Sequence, residues 1–364
     1  MRSPASSRLA RDCRRRGRVA SRRAQRGVAL LVAILLVALG TIVAAAMAYN
    51  NAMTARRVAA TFDFDQSLLV AEGAEALAAY GLQQQFQQSS PYTSPSQGWA
   101  QPLGPREVMP GVTLQASLED LQGRFNINDL VQTDGVTPNP VAIAAFRRLL
   151  TELNLDHPEW ADDIVDWIDK SPTAMVPDGT EDSVYLEMDP PYRTPKLPIT
   201  STSELLALPG MTRADFDTLA PHIVALPLGV TINVCSADPW VLDALAGTVQ
   251  YSENPQGFEK DREAGGPCFP NLQYFLSAAN NVQGGNGQPG NGQPGNSQPG
   301  NGPLPGGGNP NGPQTLASLV VQKSSWFRLR TFVDMGATEF AVYTLLYQDS
   351  TGMVRPVMRS FTPD

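Results

Sequence analysis

The sequence predicts an α+β fold: a long N-terminal helix packed on an antiparallel sheet, with a large, mostly α-helical domain inserted into the sheet-forming part. Three observations predict it. Residues 28 to about 88 carry a proline-free apolar pattern at helical spacing. "VTLQASLEDL" and three stretches near the C-terminus alternate like strands, and the block between them, roughly 137 to 250, is helical in pattern.

The helix begins with its most apolar part. No residue between Arg26 and Arg56 is charged, and Val28 to Ala48 matches the ~20 apolar residues that a membrane-spanning helix needs. Ten of the 27 Lys and Arg residues, but only one of the 35 acids, lie in residues 1–27. The positive-inside rule keeps that basic side in the cytoplasm and sends the rest of the chain outward. The rest holds 17 basic and 34 acidic residues, a net charge of −17. A body so acidic repels nucleic acid, and its partners are expected to be cations or basic protein surfaces. Three fates of the apolar run are open: a permanent anchor, a signal peptide cut after "AAAMA" (44–48), or a cut before the run, at Gly27.

Beyond the span, Val58, Phe62, Leu69, Ala76 and Tyr80 continue an apolar stripe, and "SSPYTSPSQG" (89–98) ends the helix. Val112, Leu114, Ala116 and Leu118 share one strand face before a turn at Gly123. "WFRLRTFVDM", "EFAVYTLLYQ" and "MVRPVMRSF" supply three closing strands, so four strands are expected against the helix.

Inside the insertion, Ser201 with Glu204 forms a capping box, Pro209-Gly210 a turn, and Thr212 with Asp215 a second helix start. This is the form of a helix-hairpin-helix. Asp215 and Asp217, offset only by Arg213, argue against its use on phosphate. Asp238-Pro239 opens another helix. Residues 284–313 repeat Gln-Pro-Gly-Asn without a single charge and are expected to form a disordered linker. Cys235 and Cys268 are an even pair in an exported body and are expected to be bridged, whereas Cys13 lies in the basic stub.

From 156 to 189 there are eleven acids and one basic residue, Lys170. Helical spacing puts Asp162, Asp166 and Asp169 on one face, and Asp178, Glu181 and Asp182 follow in a Gly/Pro loop. Two readings stand at this point. One is a solvated acidic face; the other is an oxygen-only cation site, which suits calcium better than zinc, though the spacing is not that of an EF-hand. No HExxH, GxSxG, CxxC, Walker or dinucleotide motif is present, and neither His157 nor His222 has a nucleophile at useful spacing, so no enzyme is expected.

The basic leader ending in Gly27 ahead of an apolar run resembles the leaders of type IV pilins and type II secretion pseudopilins. With "LQGRFNINDL", "VDWID", "EDSVYL", "PPYR", "SELLALPGMT" and "TINVCSADPWVLDAL", the chain resembles the K-type minor pseudopilins of type II secretion over nearly its whole length. The resemblance implies a pilin-like domain built of residues 49–136 and 314–364, with an inserted domain at 137–283. It implies cleavage by prepilin peptidase between Gly27 and Val28, methylation of the new N-terminus, and an anchor at 28–48 in the inner membrane with a periplasmic head. It also implies calcium held by Asp169, Asp178, Glu181 and Asp182, although Lys170 and Ser171 stand where relatives commonly carry a further acid. Expected partners are the I- and J-type minor pseudopilins and the major pseudopilin. Val32 occupies the fifth mature position, where most pseudopilins have Glu to meet a neighbour's amine, and its lack of charge marks the K type, thought to sit at the filament tip. Rival readings are an anchored periplasmic calcium-binding protein with no filament role and an anchored hydrolase.

Overall fold

In the computed structural model the described residues are 22–171, 179–180, 182–247, 262, 266–283, 315–336 and 338–362. The expected linker at 284–313, residues 1–21, Asp178 and Glu181 therefore lie outside the described residues. The chain divides after Asp65 into two compact units, each described by itself.

Helix α1 (Arg22–Gln87) begins in the first unit, six residues earlier than the apolar run alone suggests. Large apolar side chains from Val28 through Val43 are exposed, and this is the helix among the described residues that is long and apolar enough to cross a membrane. Thr41, the one polar side chain between Val28 and Ala48, donates its hydroxyl to the Ala38 carbonyl at 2.8 Å. That bond satisfies the hydroxyl within the helix, as an apolar solvent requires.

The second unit holds the last turns of α1 and a five-stranded antiparallel sheet in the order β1-β2-β7-β8-β9. Its strands are β1 (Leu103–Met109), β2 (Val112–Asp120), β7 (Trp326–Met335), β8 (Thr338–Gln348) and β9 (Val354–Ser360). The four expected strands are present and β1 is a fifth. Its Gly104-Pro105 and charged Arg106 and Glu107 hide the strand pattern, and proline is tolerated because β1 is an edge. Val112, Leu114 and Ala116 of β2, with Phe327, Leu329 and Val333 of β7, meet Ala74 and Leu82 of α1 and Trp99 in one core. Trp99 meets Phe327 edge-on at 5.3 Å.

A second, larger core surrounds Phe125, Phe146, Trp160, Tyr185 and Phe275, so the insertion packs together with residues ahead of 137. Around it stand α2 (Pro140–Glu152), α3 (Trp160–Ile168), the single turn α4 (Asp182–Tyr185), α5 (Arg213–Leu219), α6 (Pro239–Ala246) and α7 (Leu272–Gln283). The helix starts follow local capping chemistry: Asn139, Thr212 and Asp238 each accept a backbone N–H in the first turn. The capping box of Ser201 and Glu204 is present, but it opens a six-residue 3-10 turn, Thr202–Ala207, so the expected helix-hairpin-helix has only one α-helix.

Two short parallel pairs return the chain to the sheet: β3 (Phe125–Asn126) with β4 (Ile223–Val224), and β5 (Ile232–Asn233) with β6 (Val320–Val321). Asp120 at the end of β2 accepts from the Ser236 and Ser324 hydroxyls, from Asn233 Nδ2 and from the Gln122 amide, tying β2, β5 and the approach to β7 together. Burial still pushes its carboxyl above the usual range. At Gly123 a Cβ would lie 2.5 Å from the Ser236 carbonyl oxygen, so only glycine allows this approach. Cys235 and Cys268 are joined by a disulfide with their Cα atoms 4.8 Å apart.

Candidate functional site

The stretch "FNINDL" turns out to be a side-chain clamp on irregular backbone. Asn126 donates to the Pro227 carbonyl at 3.0 Å and accepts from the Leu226 amide at 3.0 Å. Asn128 donates to the carbonyls of Ile199 (2.8 Å) and Leu226 (2.7 Å) and accepts from the Ile199 amide (2.8 Å). Asp129 accepts from the Gly229 amide at 2.7 Å. Segments around 199 and 225–229 have few ladder partners, and buried backbone groups must be paired, so three polar side chains on one turn supply what a sheet would. Burial pushes the Asp129 carboxyl up to about 7, against the Gly229 and Asn126 hydrogen bonds.

The acidic segment differs from a solvated face. All nine residues of α3 are buried, Asp162, Asp163 and Asp166 included. Trp160, Ile164, Val165 and Ile168 fill the insertion core, and Arg147 Nη2 meets Asp162 Oδ2 at 2.6 Å. Asp169 caps the C-terminus of α3, also buried, and accepts from the Ser171 amide at 3.0 Å. Lys196 reaches into this corner. Its ammonium donates to the carbonyls of Asp166 (2.9 Å) and Ser171 (3.0 Å) and lies 3.8 Å from Asp169 Oδ1. Lys196 has φ 53°, a left-handed backbone that a non-glycine residue keeps only when its surroundings demand it.

Asp182 accepts from the Thr194 hydroxyl (2.9 Å) and amide (3.0 Å) and meets Arg193 Nη1 at 3.1 Å. The two Thr194 bonds, then Arg193 and Lys196, hold its carboxyl below the usual range. Lys196 is thus within electrostatic reach of both described candidate ligands, Asp169 and Asp182. Among the described residues no group of three or more Asp, Glu, His or Cys side chains is arranged to hold a metal. The donors here are all oxygen, which suits calcium chemically, and an ammonium rests among part of them.

On the head portion of α1, small and half-buried residues face the sheet: Ser67, Ala71, Ala74 and Leu82 are buried, while Leu69, Leu77 and Tyr80 are at least 60% exposed. The apolar stripe seen in the sequence is therefore the outward face. Ser67, Ala71 and Ala74 let the helix lie close on the sheet, while Leu82 fills the core further along. In the first unit Val28 and Val32 are 62% and 49% exposed, and Gly27 lies within the same helix.

Comparison with known proteins bears on the clamp and the acidic segment. A family model for protein K of the type II secretion system (T2SS) matches residues 123–228, which contain the clamp and the acidic segment. The type II secretion system protein K of Pseudomonas aeruginosa is 33% identical over 232 residues, spanning 62% of this chain and 69% of that protein. This chain belongs to the type II secretion system protein K family. Protein K of Klebsiella pneumoniae is similarly related, 34% identical over 224 residues, covering 59% of this chain and 68% of that one. A chain in the crystal structure of the GspK-GspI-GspJ complex from the enterotoxigenic Escherichia coli Type 2 Secretion System shares the fold. Its TM-score is 0.66 at 20% identity, covering 85% of this chain and all of that chain.

As a K-family minor pseudopilin, the protein belongs to a secretion family and not to a known enzyme family. Both histidines have carboxylate neighbours: His157 Nδ1 is 2.7 Å from Glu159 and His222 Nδ1 is 2.7 Å from Asp238. Sequence reasoning missed the clamp and the lysine. The Asn-x-Asn-Asp spacing was visible at 126–129, but its targets lie 70 to 100 residues away and carry no pattern of their own.

Proposed function

We propose that this K-family chain is made as a prepilin, cut after Gly27 by prepilin peptidase and methylated on Val28, and that it anchors a periplasmic head in the inner membrane through residues 28–48. The head joins I- and J-type minor pseudopilins, contacts the major pseudopilin, and starts and caps the pseudopilus at its tip. The observation that carries this reading is the outward apolar row Leu69, Leu77 and Tyr80 on a helix whose opposite face is already packed. Such a row is a ready surface for a neighbouring helix. The assembly of the related GspK with GspI and GspJ supports the choice of partners. Val32 supports the terminal position, since without a carboxylate this helix has nothing to offer the amine of a subunit already in place.

In the same reading calcium is held by Asp169 and Asp182 with Asp178 and Glu181. It neutralises the Asp169 and Asp182 carboxylates, and its part is structural. The test is co-purification of the full chain from detergent-extracted membranes with tagged I- and J-type subunits. Replacing Leu77→Lys and Tyr80→Lys together is expected to abolish recovery while leaving the circular dichroism unchanged. Undiminished recovery by the doubly substituted chain would overturn the helix-face reading and favour an anchored calcium-binding protein outside any filament.

A further inference from the structure

The second unit contains a cavity of about 830 Å³, walled in part by the clamp at Asn128, Ile199, Leu226 and Pro227. Its floor is the outer face of the sheet, the side away from α1, and its walls are insertion residues at 198–202 and 220–227. The charged side chains lining it among the described residues are Arg124, Arg328, Arg330 and Asp217. Asp217 already accepts from Arg213 Nε at 2.9 Å. The three guanidinium groups converge on one carboxylate, Glu119 of β2: Arg330 Nη2 at 2.6 Å and Arg328 Nη2 at 3.0 Å on Oε2, and Arg124 on Oε1.

This concentration of positive charge runs against the rest of the molecule, which carries −17 beyond residue 27. Its local cost is visible at Arg124, whose guanidinium is pushed toward losing its proton by burial and by the neighbouring Arg328 and Arg330, with Glu119 opposing. Arg330 is 39% exposed at its side chain, and its Nε is buried without an acceptor among the described residues. Phe332, Tyr343 and Val357 give the remainder of the cavity an apolar lining, and Val357 is 53% exposed.

We propose that this cavity is a docking site for an extended acidic segment of a partner protein, with carboxylates at alternate positions beside apolar residues. Arg328 and Arg330 lie two residues apart on one strand face, a separation of roughly 6.6 to 6.8 Å, which is also the spacing of alternate side chains in an extended peptide. Guanidinium recognises carboxylate through paired N–H donors, and Arg124 and Arg330 each give Glu119 only one of theirs in the bonds described. The aromatic and aliphatic lining then takes the segment's apolar side chains. A nucleic acid or an anionic membrane fits worse, because the acidic body around the cavity repels a polyanion larger than the cavity itself. The site does not depend on the pseudopilus reading, since it lies on the opposite face of the sheet from α1.

The probe is a fluorescein-labelled peptide, Glu-Phe-Glu-Val-Asp, against its neutral counterpart Gln-Phe-Gln-Val-Asn. Fluorescence anisotropy is read on the full chain in neutral detergent. The acidic probe is expected to bind at least tenfold more tightly, with the difference shrinking as salt rises. Arg330→Gln is expected to weaken it about tenfold, the loss of one charge-assisted pair. Val357→Asp, at an exposed position, is expected to weaken it similarly by repulsion, which guards against an Arg330 variant that simply misfolds. Equal binding of the two peptides, no binding of either, or unchanged binding by both variants would overturn the proposal. So would full displacement of the acidic probe by inorganic phosphate at equal concentration, which would make the cavity a small-anion site only.

Discussion

Asp129 offers a quantitative test of the clamp. It is 7% exposed and its carboxyl sits at about 7, where an exposed aspartate titrates near 3.8. A carboxyl whose folded value is raised is protonated more readily in the folded chain than in the unfolded one. The resulting stability is present in full below the unfolded value and is lost as pH rises through about 7. Three units at ~1.4 kcal/mol each make this about 4 kcal/mol between pH 4 and pH 8. Asp129→Asn keeps an oxygen for the Gly229 amide but cannot ionise. Urea unfolding of both chains at pH 4, 6 and 8 isolates the group, because other titrating sites cancel in the difference between variant and parent. One such site is Glu152, also raised to about 7 by burial and by Asp243. The Asn variant should gain about 4 kcal/mol on the parent from pH 4 to pH 8, the larger part of it between pH 4 and pH 6 and the rest levelling off above pH 7. A difference that stays constant across the three pH values would refute the buried, proton-holding Asp129 described above.

Other outcomes follow from the same structure. Asn128→Ala removes three hydrogen bonds to the backbone of residues 199 and 226 and should cost about 3 kcal/mol in urea unfolding, at ~1 kcal/mol for each. Replacing Cys235→Ser and Cys268→Ser together opens a 33-residue closure. In the chain-entropy model that lowers stability by about 3 to 4 kcal/mol, and the loss should vanish when the parent is measured in reductant. Lys196→Met withdraws the ammonium from the Asp166 and Ser171 carbonyls and from Asp169. The variant should melt several degrees higher in millimolar calcium than in chelator, with a larger response than the parent. Equal calcium responses would show that Lys196 does not share the proposed calcium site.

How much of this was legible in the sequence depended on the range of the forces involved. Strands β2, β7 and β8 announce themselves because their burial alternates along the strand, and helix α1 because its apolar run is unbroken by proline. The caps at Thr212 and Asp238 are equally local. Strand β1 was hidden, because an edge needs only one neighbour's register and tolerates Gly104-Pro105. Helix α3 misled in the other direction: a run of aspartates reads as a wet surface, and nothing local says that a nine-residue helix will be enclosed on every side. The arginine cavity had a visible seed in the alternation of Arg328 and Arg330, but its significance depended on the insertion folding over the outer face of the sheet. Lys196, 26 residues beyond Lys170, had no sequence signal at all for its place beside Asp169.

The measurement that tests the central claim most directly is the intact mass of the protein extracted from membranes of cells with and without active prepilin peptidase. The account predicts that residues 1–27 are lost only when the peptidase is active, leaving a methylated Val28 as the first residue and the apolar run in place. A chain of unchanged mass in both cells, or one cut beyond Ala48, would contradict it.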